Sequence, residues 1–174
     1  MKFEIKQREL MKALSIANRA VSKSTNIQIH ELIYFSTEDG RLSLTSFDGE
    51  ISIKTLADAK IVEDGVMAVK ADLITNIIRK LPDEIVKIEL DSGKIKISCK
   101  RSNFNLVAFE YFDKEEMKTP QSTALTIDND KLKRSISQTE FATTLDETKL
   151  ALTGILFELR EGSLNMVALD GYRV

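Results

Sequence analysis

The residues that could support catalysis are few, and they form no known catalytic arrangement. His30 is the only histidine, and no Gly-x-Ser-x-Gly elbow accompanies it. Cys99 is the only cysteine and ends the alternating run 95–99, which favours a small core residue over a nucleophile. Asp48 and Asp170 could serve as metal-binding carboxylates, but each precedes a glycine between expected strands, which favours a turn. The sequence predicts no catalytic residue, metal site or cofactor, and therefore a protein that is not an enzyme.

Composition places the chain among folded proteins. It has 174 residues, of which 43% are hydrophobic and 30% charged, with seven glycines and two prolines. These values are typical of a globular protein rather than a disordered tail, and the length suits one domain or one domain plus part of another. The N-terminus alternates apolar and charged residues, and an apolar run of about 18 residues is missing from the sequence. We therefore expect a cytoplasmic protein without a membrane partner.

Positive charge is concentrated in three segments with helical spacing, although the chain as a whole carries a formal net charge of −2. Segment 6–23 holds five basic residues against one acidic, 70–80 three against one, and 129–141 three against two. On the first segment four cations lie within about 60° of one another at 100° per residue, opposite the apolar face; they are Arg8, Lys12, Arg19 and Lys23. A charged face is ordinary on an amphipathic helix, whereas a face of one sign favours a polyanionic partner. Both interpretations stay open for this helix alone.

The other two segments support a polyanionic partner less strongly. Their candidate cations are Lys70, Arg79 and Lys80 on the second, and Lys131 and Arg134 on the third. The chain lacks tryptophan and its three tyrosines are scattered, so a platform that stacks on single-stranded bases is not expected. Helix-turn-helix, zinc-finger and RNP motifs are also missing from the sequence. The remaining possibility is contact with duplex phosphates, which gives affinity without sequence information.

Hydrophobic periodicity predicts the elements that position these cations. Residues 2–6 alternate as a strand, and residues 7–22 follow as a helix. Three short strands over 31–37, 41–46 and 49–56 are separated by Gly-containing turns. A second, weaker unit repeats this order: strand 65–70, helix 71–81 ended by Leu81-Pro82, and strands 84–91, 94–100 and 103–109. Residues 112–123 lose all periodicity and are expected to form a linker.

An internal repeat underlies this order. A shift of 122 positions without a gap places Gly40-Arg41-Leu42 on Gly162-Ser163-Leu164 and Asp48-Gly49 on Asp170-Gly171, with matching apolar positions before them. The recurrence of both glycine motifs at one spacing indicates a duplicated module. The second copy reaches Val174, which corresponds to Ser52, so the counterpart of residues 53–122 is not within the sequence. We expect domain one at 1–120, made of two tandem units, and the first half of a truncated second domain at 121–174.

The sequence resembles the sliding-clamp family, the beta subunits of bacterial DNA polymerase III. The resemblance rests on the start Met1–Phe3, the run Leu42–Glu50, the stretch Phe141–Gly154 and the end Ala168–Val174. It spans the whole chain but stops inside the family's second domain of three. The chain departs from the family at Ile27 and Glu31, where proline and glycine are usual. The resemblance implies an α+β DNA-clamp fold: tandem strand–helix–meander units with helices on one face of antiparallel sheets.

The resemblance also implies a function. Family members dimerise head to tail into a ring around double-stranded DNA, line the hole with helices, and give the replicative polymerase its processivity. The implied partners are double-stranded DNA without sequence preference, the polymerase catalytic subunit, the clamp loader and, at full length, a second copy. The basic helices become the expected DNA-binding surface, with Lys23 and Arg79 at positions that match basic residues of the family.

A partner site is implied as well. In the family, short peptide tails dock in an apolar pocket between domains two and three. The positions that match its domain-two side are Lys149, Leu152, Leu169, Gly171, Tyr172, Arg173 and Val174. The residues alone favour the simpler interpretation, in which Leu152 and Leu169 are core residues and Asp170-Gly171 is a plain turn. The alternative function is a truncated, clamp-like scaffold that binds partner proteins without forming a ring.

Overall fold

The computed structural model describes residues 1–22, 27–110 and 125–173. The chain divides into two compact units, Met1–Lys118 and Thr119–Val174. The expected linker at 112–123 lies outside the described residues. Within the described residues, no helix is long and apolar enough to cross a membrane.

The first unit consists of two antiparallel sheets and two α-helices. In chain order its elements are β1 (Lys2–Lys6), α1 (Gln7–Ala17), β2 (Leu32–Glu38), β3 (Arg41–Phe47), β4 (Ser52–Ala57), β5 (Lys60–Glu63), β6 (Val66–Lys70), α2 (Ala71–Lys80), β7 (Ile85–Asp91), β8 (Lys94–Cys99) and β9 (Ser102–Val107). One sheet has the strand order β5-β1-β7-β8-β9 and the other β4-β3-β2-β6. The prediction of an α+β fold is confirmed.

Both helices and both sheets share one hydrophobic core. The alternating residues Phe3 and Ile5 of β1 enter it together with Leu10 and Leu14 of α1, and all four are at most 2% exposed. Cys99 at the end of β8 is also buried in this core, as its alternating run predicts. Burial of these faces on both sheets holds the two helices side by side, which positions the basic residues on their outer faces.

The first helix is shorter than its apolar spacing predicts. α1 ends at Ala17, and Asn18–Ala20 forms a 3-10 turn. Val21 is extended, and the Ser22 amide donates a hydrogen bond to the His30 carbonyl 3.0 Å away. The expected helix over 7–22 is therefore wrong in its last turn, because the chain already pairs with the segment before β2.

Three hairpins share one turn geometry. Asp39-Gly40, Ser92-Gly93 and Glu161-Gly162 all have positive φ at both positions, between 48° and 78°. This geometry follows the right-handed twist of antiparallel strands, and glycine adopts it without strain. The first and third of these turns are equivalent in the 122-residue repeat, so the repeat is visible in the backbone.

The second unit is smaller and more open. It contains α3 (Asn129–Thr139), 3-10 turns over Glu140–Ala142 and Glu147–Leu152, and the hairpin of β10 (Leu156–Arg160) and β11 (Ser163–Val167). Among its described hydrophobic residues, only Ala142 and Ala168 are buried. Residues 125–128, which correspond to Phe3–Lys6 of β1 in the repeat, are irregular. In the first unit that strand pairs with β5 and β7, whose counterparts would fall past position 174.

Candidate nucleic-acid interface

The cations of α1 point away from the core. The buried face carries Leu10, Ala13, Leu14 and Ala17, at the spacing of one helical stripe. Arg8 and Lys12 lie on the opposite, exposed face, and Arg19 follows on the exposed side of the 3-10 turn. Lys23, the last predicted member of this stripe, lies outside the described residues.

A groove between α1 and α2 brings three predicted cations together. It has a volume of about 1070 Å³ and is lined by Arg19, Lys70 and Arg79. Its other lining groups include hydroxyls and amides that can donate hydrogen bonds to an anion, together with the carboxylates of Glu31 and Asp72; the uncharged polar groups are Ser15, Asn18, Ser22, Thr75 and Asn76. The Asn18 amide donates to the Thr75 hydroxyl at 2.8 Å, which fixes the spacing of the helices at the groove.

The sequence-predicted cations differ in their ion pairing. Arg8 donates to Asp83 at 2.8 Å and Lys70 to Glu31 at 3.1 Å. By contrast, Lys12, Arg19, Arg79 and Lys80 have no carboxylate partner among the described residues. Neither ion pair can be predicted from local sequence patterns, because the partners are far apart along the chain.

Cations on the sheets are mostly neutralised. Besides Lys70, five sheet lysines lie within 3.5 Å of a carboxylate, namely Lys2, Lys54, Lys60, Lys87 and Lys96. Glu4 accepts from Lys87 and Lys60, and the hydrogen bond from Lys87 is the main reason that the pKa of its carboxyl lies below the ordinary value. Among the described residues of the first unit, a larger share of the helix cations than of the sheet cations therefore has no carboxylate partner.

The third basic helix is described within the second unit by itself. Asp128 caps it by accepting hydrogen bonds from the amides of Asp130 and Lys131, both at 3.1 Å. Lys131 and Arg134 are exposed and one turn apart, away from the half-buried Leu132. The predicted helix and its two cations are present.

Asp48 and Asp170 form equivalent turns in the two repeats. One carboxylate oxygen of Asp48 accepts from the amides of Glu50 and Ile51 at 3.0 and 2.8 Å. One oxygen of Asp170 accepts from the amides two and three residues on, at 2.9 and 3.1 Å. The interpretation of both aspartates as turn residues is confirmed.

The predicted peptide-pocket residues lie on two separate turns. Lys149 and Leu152 belong to the 3-10 turn Glu147–Leu152, where Lys149 is exposed and Leu152 half-buried. The second group, Leu169, Gly171, Tyr172 and Arg173, occupies the Asp170 turn. No hydrogen bond or ion pair joins the two groups in the part of the chain that the structure describes, and Val174 lies outside it.

The second of these turns presents aromatic and cationic groups. Tyr172 is 99% exposed and Leu169 38% exposed. Arg173 pairs with Asp170 at 2.8 Å, and its guanidinium lies 5.8 Å from the centre of the Phe141 ring. The turn therefore holds Arg173 in place while the Tyr172 side chain is exposed to solvent.

Tandem strand–helix–meander units that pack paired basic helices on antiparallel sheets define a DNA-clamp fold. Comparison with protein families agrees: the N-terminal domain of the DNA polymerase III beta subunit matches residues 1–118, and its central domain matches residues 126–174. The chain belongs to the DNA polymerase III beta subunit family.

Relatives and solved structures support this assignment over the whole chain. The beta sliding clamp of Micrococcus luteus is 29% identical over 174 residues, covering 100% of this chain and 56% of that protein. The pol III beta structure of Caulobacter crescentus superposes with a TM-score of 0.89 at 32% identity, covering 98% of this chain and 48% of that one. The beta subunit of Pseudomonas aeruginosa gives a TM-score of 0.90 at 27% identity, with coverages of 99% and 48%. The chain thus spans about half the length of the proteins it matches.

Proposed function

We propose that the chain is the N-terminal portion of a sliding-clamp subunit that encircles double-stranded DNA and confers processivity on the replicative polymerase. At full length the subunit would form a homodimeric ring in the cytoplasm, be placed on DNA by the clamp loader, and carry out no catalysis of its own. The observation that supports this most directly is the unequal pairing of cations. Lys12, Arg19 and Arg79 lie on the α1–α2 side without a carboxylate partner in the part of the chain that the structure describes, whereas most sheet lysines are neutralised.

Phosphate contact through flexible cations suits a ring that must move. Lysine and arginine bind the DNA backbone without reading bases, so the binding energy hardly varies from one position to the next. A ring held by topology needs only weak attraction to stay centred. A polymerase tethered to it would meet the primer end at high effective concentration.

Salt dependence of DNA binding tests this proposal on the 174-residue chain. Each phosphate contact adds about 0.9 to the slope of log affinity against log salt. We expect the combined substitution Lys12→Gln, Arg19→Gln and Arg79→Gln to lower that slope by about 2 to 3 on a short duplex at low salt. The matched control is Lys2→Gln, Lys54→Gln and Lys96→Gln, which removes the same charge from the sheets. Equal effects of the two triple variants would contradict the proposal.

The ring function is tested on the full-length protein. We expect it to remain on circular DNA after loading and to stimulate its cognate polymerase when a clamp loader is present. No stimulation under those conditions would contradict the processivity role. A loss of DNA retention with partner binding intact, caused by the three helix substitutions, would separate the clamp from a scaffold that does not form a ring.

We propose the exposed Asp170 turn as one wall of a site for partner peptides. Tyr172 contributes little to its own unit because its side chain is almost fully exposed. In the full-length protein, Tyr172→Ala should weaken binding of the polymerase's peptide tail but change the free energy of unfolding by less than about 0.5 kcal/mol. Unchanged peptide affinity, measured by fluorescence anisotropy, would exclude Tyr172 from the site.

A further inference from the structure

The ion pair between Glu31 and Lys70 is built into the wall of the α1–α2 groove. Glu31 directly precedes β2 and Lys70 ends β6, and these strands pair with Leu32 opposite Lys70. The backbone register therefore places the carboxylate beside the ammonium group, at 3.1 Å. Both groups line the groove, and their side chains are 34% and 38% exposed.

Lys70 consequently differs from the other two cations of the groove. Arg19 and Arg79 have no carboxylate partner among the described residues, so a phosphate can reach them without displacing an acid. A phosphate that approached Lys70 would have to replace the Glu31 carboxylate and would be repelled by it. The pair is also more sheltered than Arg8–Asp83, whose side chains are 80% and 51% exposed and whose attraction water weakens more.

We propose that Glu31 is a counter-charge that withholds Lys70 from DNA phosphates and so limits how strongly the groove holds the duplex. This inference rests on the proposed DNA-binding function. Its physical consequence is one fewer released counterion when DNA binds, and therefore a shallower dependence of affinity on salt. Glu31 acts through Lys70 and is a positioning residue rather than a contact residue.

The test is Glu31→Gln in the 174-residue chain, with a short duplex titrated by fluorescence anisotropy across a range of salt concentrations. We expect the slope of log affinity against log salt to steepen by about 0.9, as for one added phosphate contact. Between about 50 and 200 mM salt the variant should therefore lose roughly 3.5-fold more affinity than the parent chain. Lys70→Gln alone should leave the parent slope unchanged, and Glu31→Gln with Lys70→Gln should restore it.

The matched control is Glu38→Gln. Glu38 pairs with Lys54 at 2.5 Å, and the two side chains are 41% and 40% exposed, so the change in charge and pairing is similar. It lies at the other end of β2, about 20 Å away at 3.3 Å per residue. Glu38→Gln should keep the parent slope, because Lys54 is not in the groove.

The outcomes separate this inference from the function on which it rests. An unchanged slope in Glu31→Gln, or an equal steepening in Glu38→Gln, would overturn the counter-charge role. A lowered slope in Lys70→Gln alone would do the same, since it would show that Lys70 already contacts phosphate. If Arg19→Gln and Arg79→Gln also left the slope unchanged, the proposed DNA-binding function itself would fail.

Discussion

Asp48 shows how a single carboxylate shapes the chain. It accepts two backbone amides in the turn before β4, and these hydrogen bonds, chiefly from Ile51, place the pKa of its carboxyl below the ordinary value. Asp170 repeats the arrangement, with the Tyr172 amide as the main cause of its lowered pKa. A charged acceptor suits both turns because it accepts hydrogen bonds from two turn amides that strand pairing does not satisfy.

A prediction about pH follows from the Asp48 turn. Because its folded pKa is lowered, Asp48 contributes stability that is present above the unfolded value of about 3.9 and is lost as pH falls through the folded value. Asp48→Ala should therefore be less stable than the parent at neutral pH, and the difference should shrink on acidification. Urea unfolding between about pH 6 and pH 2 measures this.

The control for that series is Asp64→Ala. Asp64 is exposed in the loop between β5 and β6, and its side chain accepts no hydrogen bond within the described ranges. Asp64→Ala removes the same charge without removing a hydrogen bond of the turn. A difference between parent and Asp48→Ala that stays constant at every pH would rule out the charged turn as its cause.

A proline at the end of α2 leaves room for a hydrogen bond between α1 and α2. Pro82 has no amide hydrogen, so it cannot close the last α-helical turn onto the Ile78 carbonyl. The Leu81 amide donates to this carbonyl at 3.3 Å, and the buried Gln7 side chain, from the first turn of α1, adds a second and shorter hydrogen bond at 2.8 Å. The Gln7 hydrogen bond therefore joins the end of α2 to the start of α1, in addition to the Asn18–Thr75 link at the groove.

Gln7→Met should remove this link with little change in volume. We expect a loss of about 0.5 to 1.5 kcal/mol in the free energy of unfolding of the first unit, because the Ile78 carbonyl loses its shorter hydrogen bond but keeps the one from the Leu81 amide. Equilibrium urea unfolding measures the change. Gln138→Met on the exposed face of α3 is the control and should have almost no effect. Equal stability of the two variants would show that the link contributes nothing.

Sequence periodicity predicted most of these elements, and its failures have physical causes. Periodicity does not predict β5, because the alternation of Lys60–Glu63 is too short to stand out and its pairing with β1 is a tertiary property. The spacing predicts a helix that is too long, because Val21 lies on the apolar stripe although its backbone is in the β conformation. Local spacing indicates which face of an element a residue prefers. It does not show where hydrogen bonds to another segment end that element.

The candidate site was predictable in residue type but not in pairing. The basic stripe follows from helical spacing alone, since Arg8, Lys12 and Arg19 are all exposed opposite the core. The fold pairs Arg8 with Asp83 and Lys70 with Glu31 from distant positions, whereas Lys12 and Arg19 have no carboxylate partner among the described residues. No period along the chain could have shown that Lys70 shares its charge with Glu31.

At the scale of the whole molecule, the two units differ in burial although they share a repeat. Phe35 is fully buried in β2, whereas its counterpart Phe157 in β10 is 50% exposed. Leu156 and Leu159 beside it are each 59% exposed. The second unit therefore has far less buried apolar surface to stabilise it.

We predict that β10 and β11 exchange their amide hydrogens faster than β7 and β8 in the 174-residue chain. The two hairpins provide a matched comparison, because their turns have nearly the same φ angles while Ile88 and Ile97 are fully buried. Strands that cover no core open at low cost. Hydrogen exchange followed by mass spectrometry measures the difference, and equal protection would contradict it.

The buried Cys99 makes the opening of the first unit measurable by thiol labelling. Its thiol is 2% exposed, and burial raises its pKa, so in the closed protein it is both hidden and protonated. An alkylating reagent therefore reaches the thiol only when the first unit opens locally. The second unit contains no cysteine. The rate at which the protein gains the mass of one alkyl group would therefore measure the opening of the first unit alone, independently of the second.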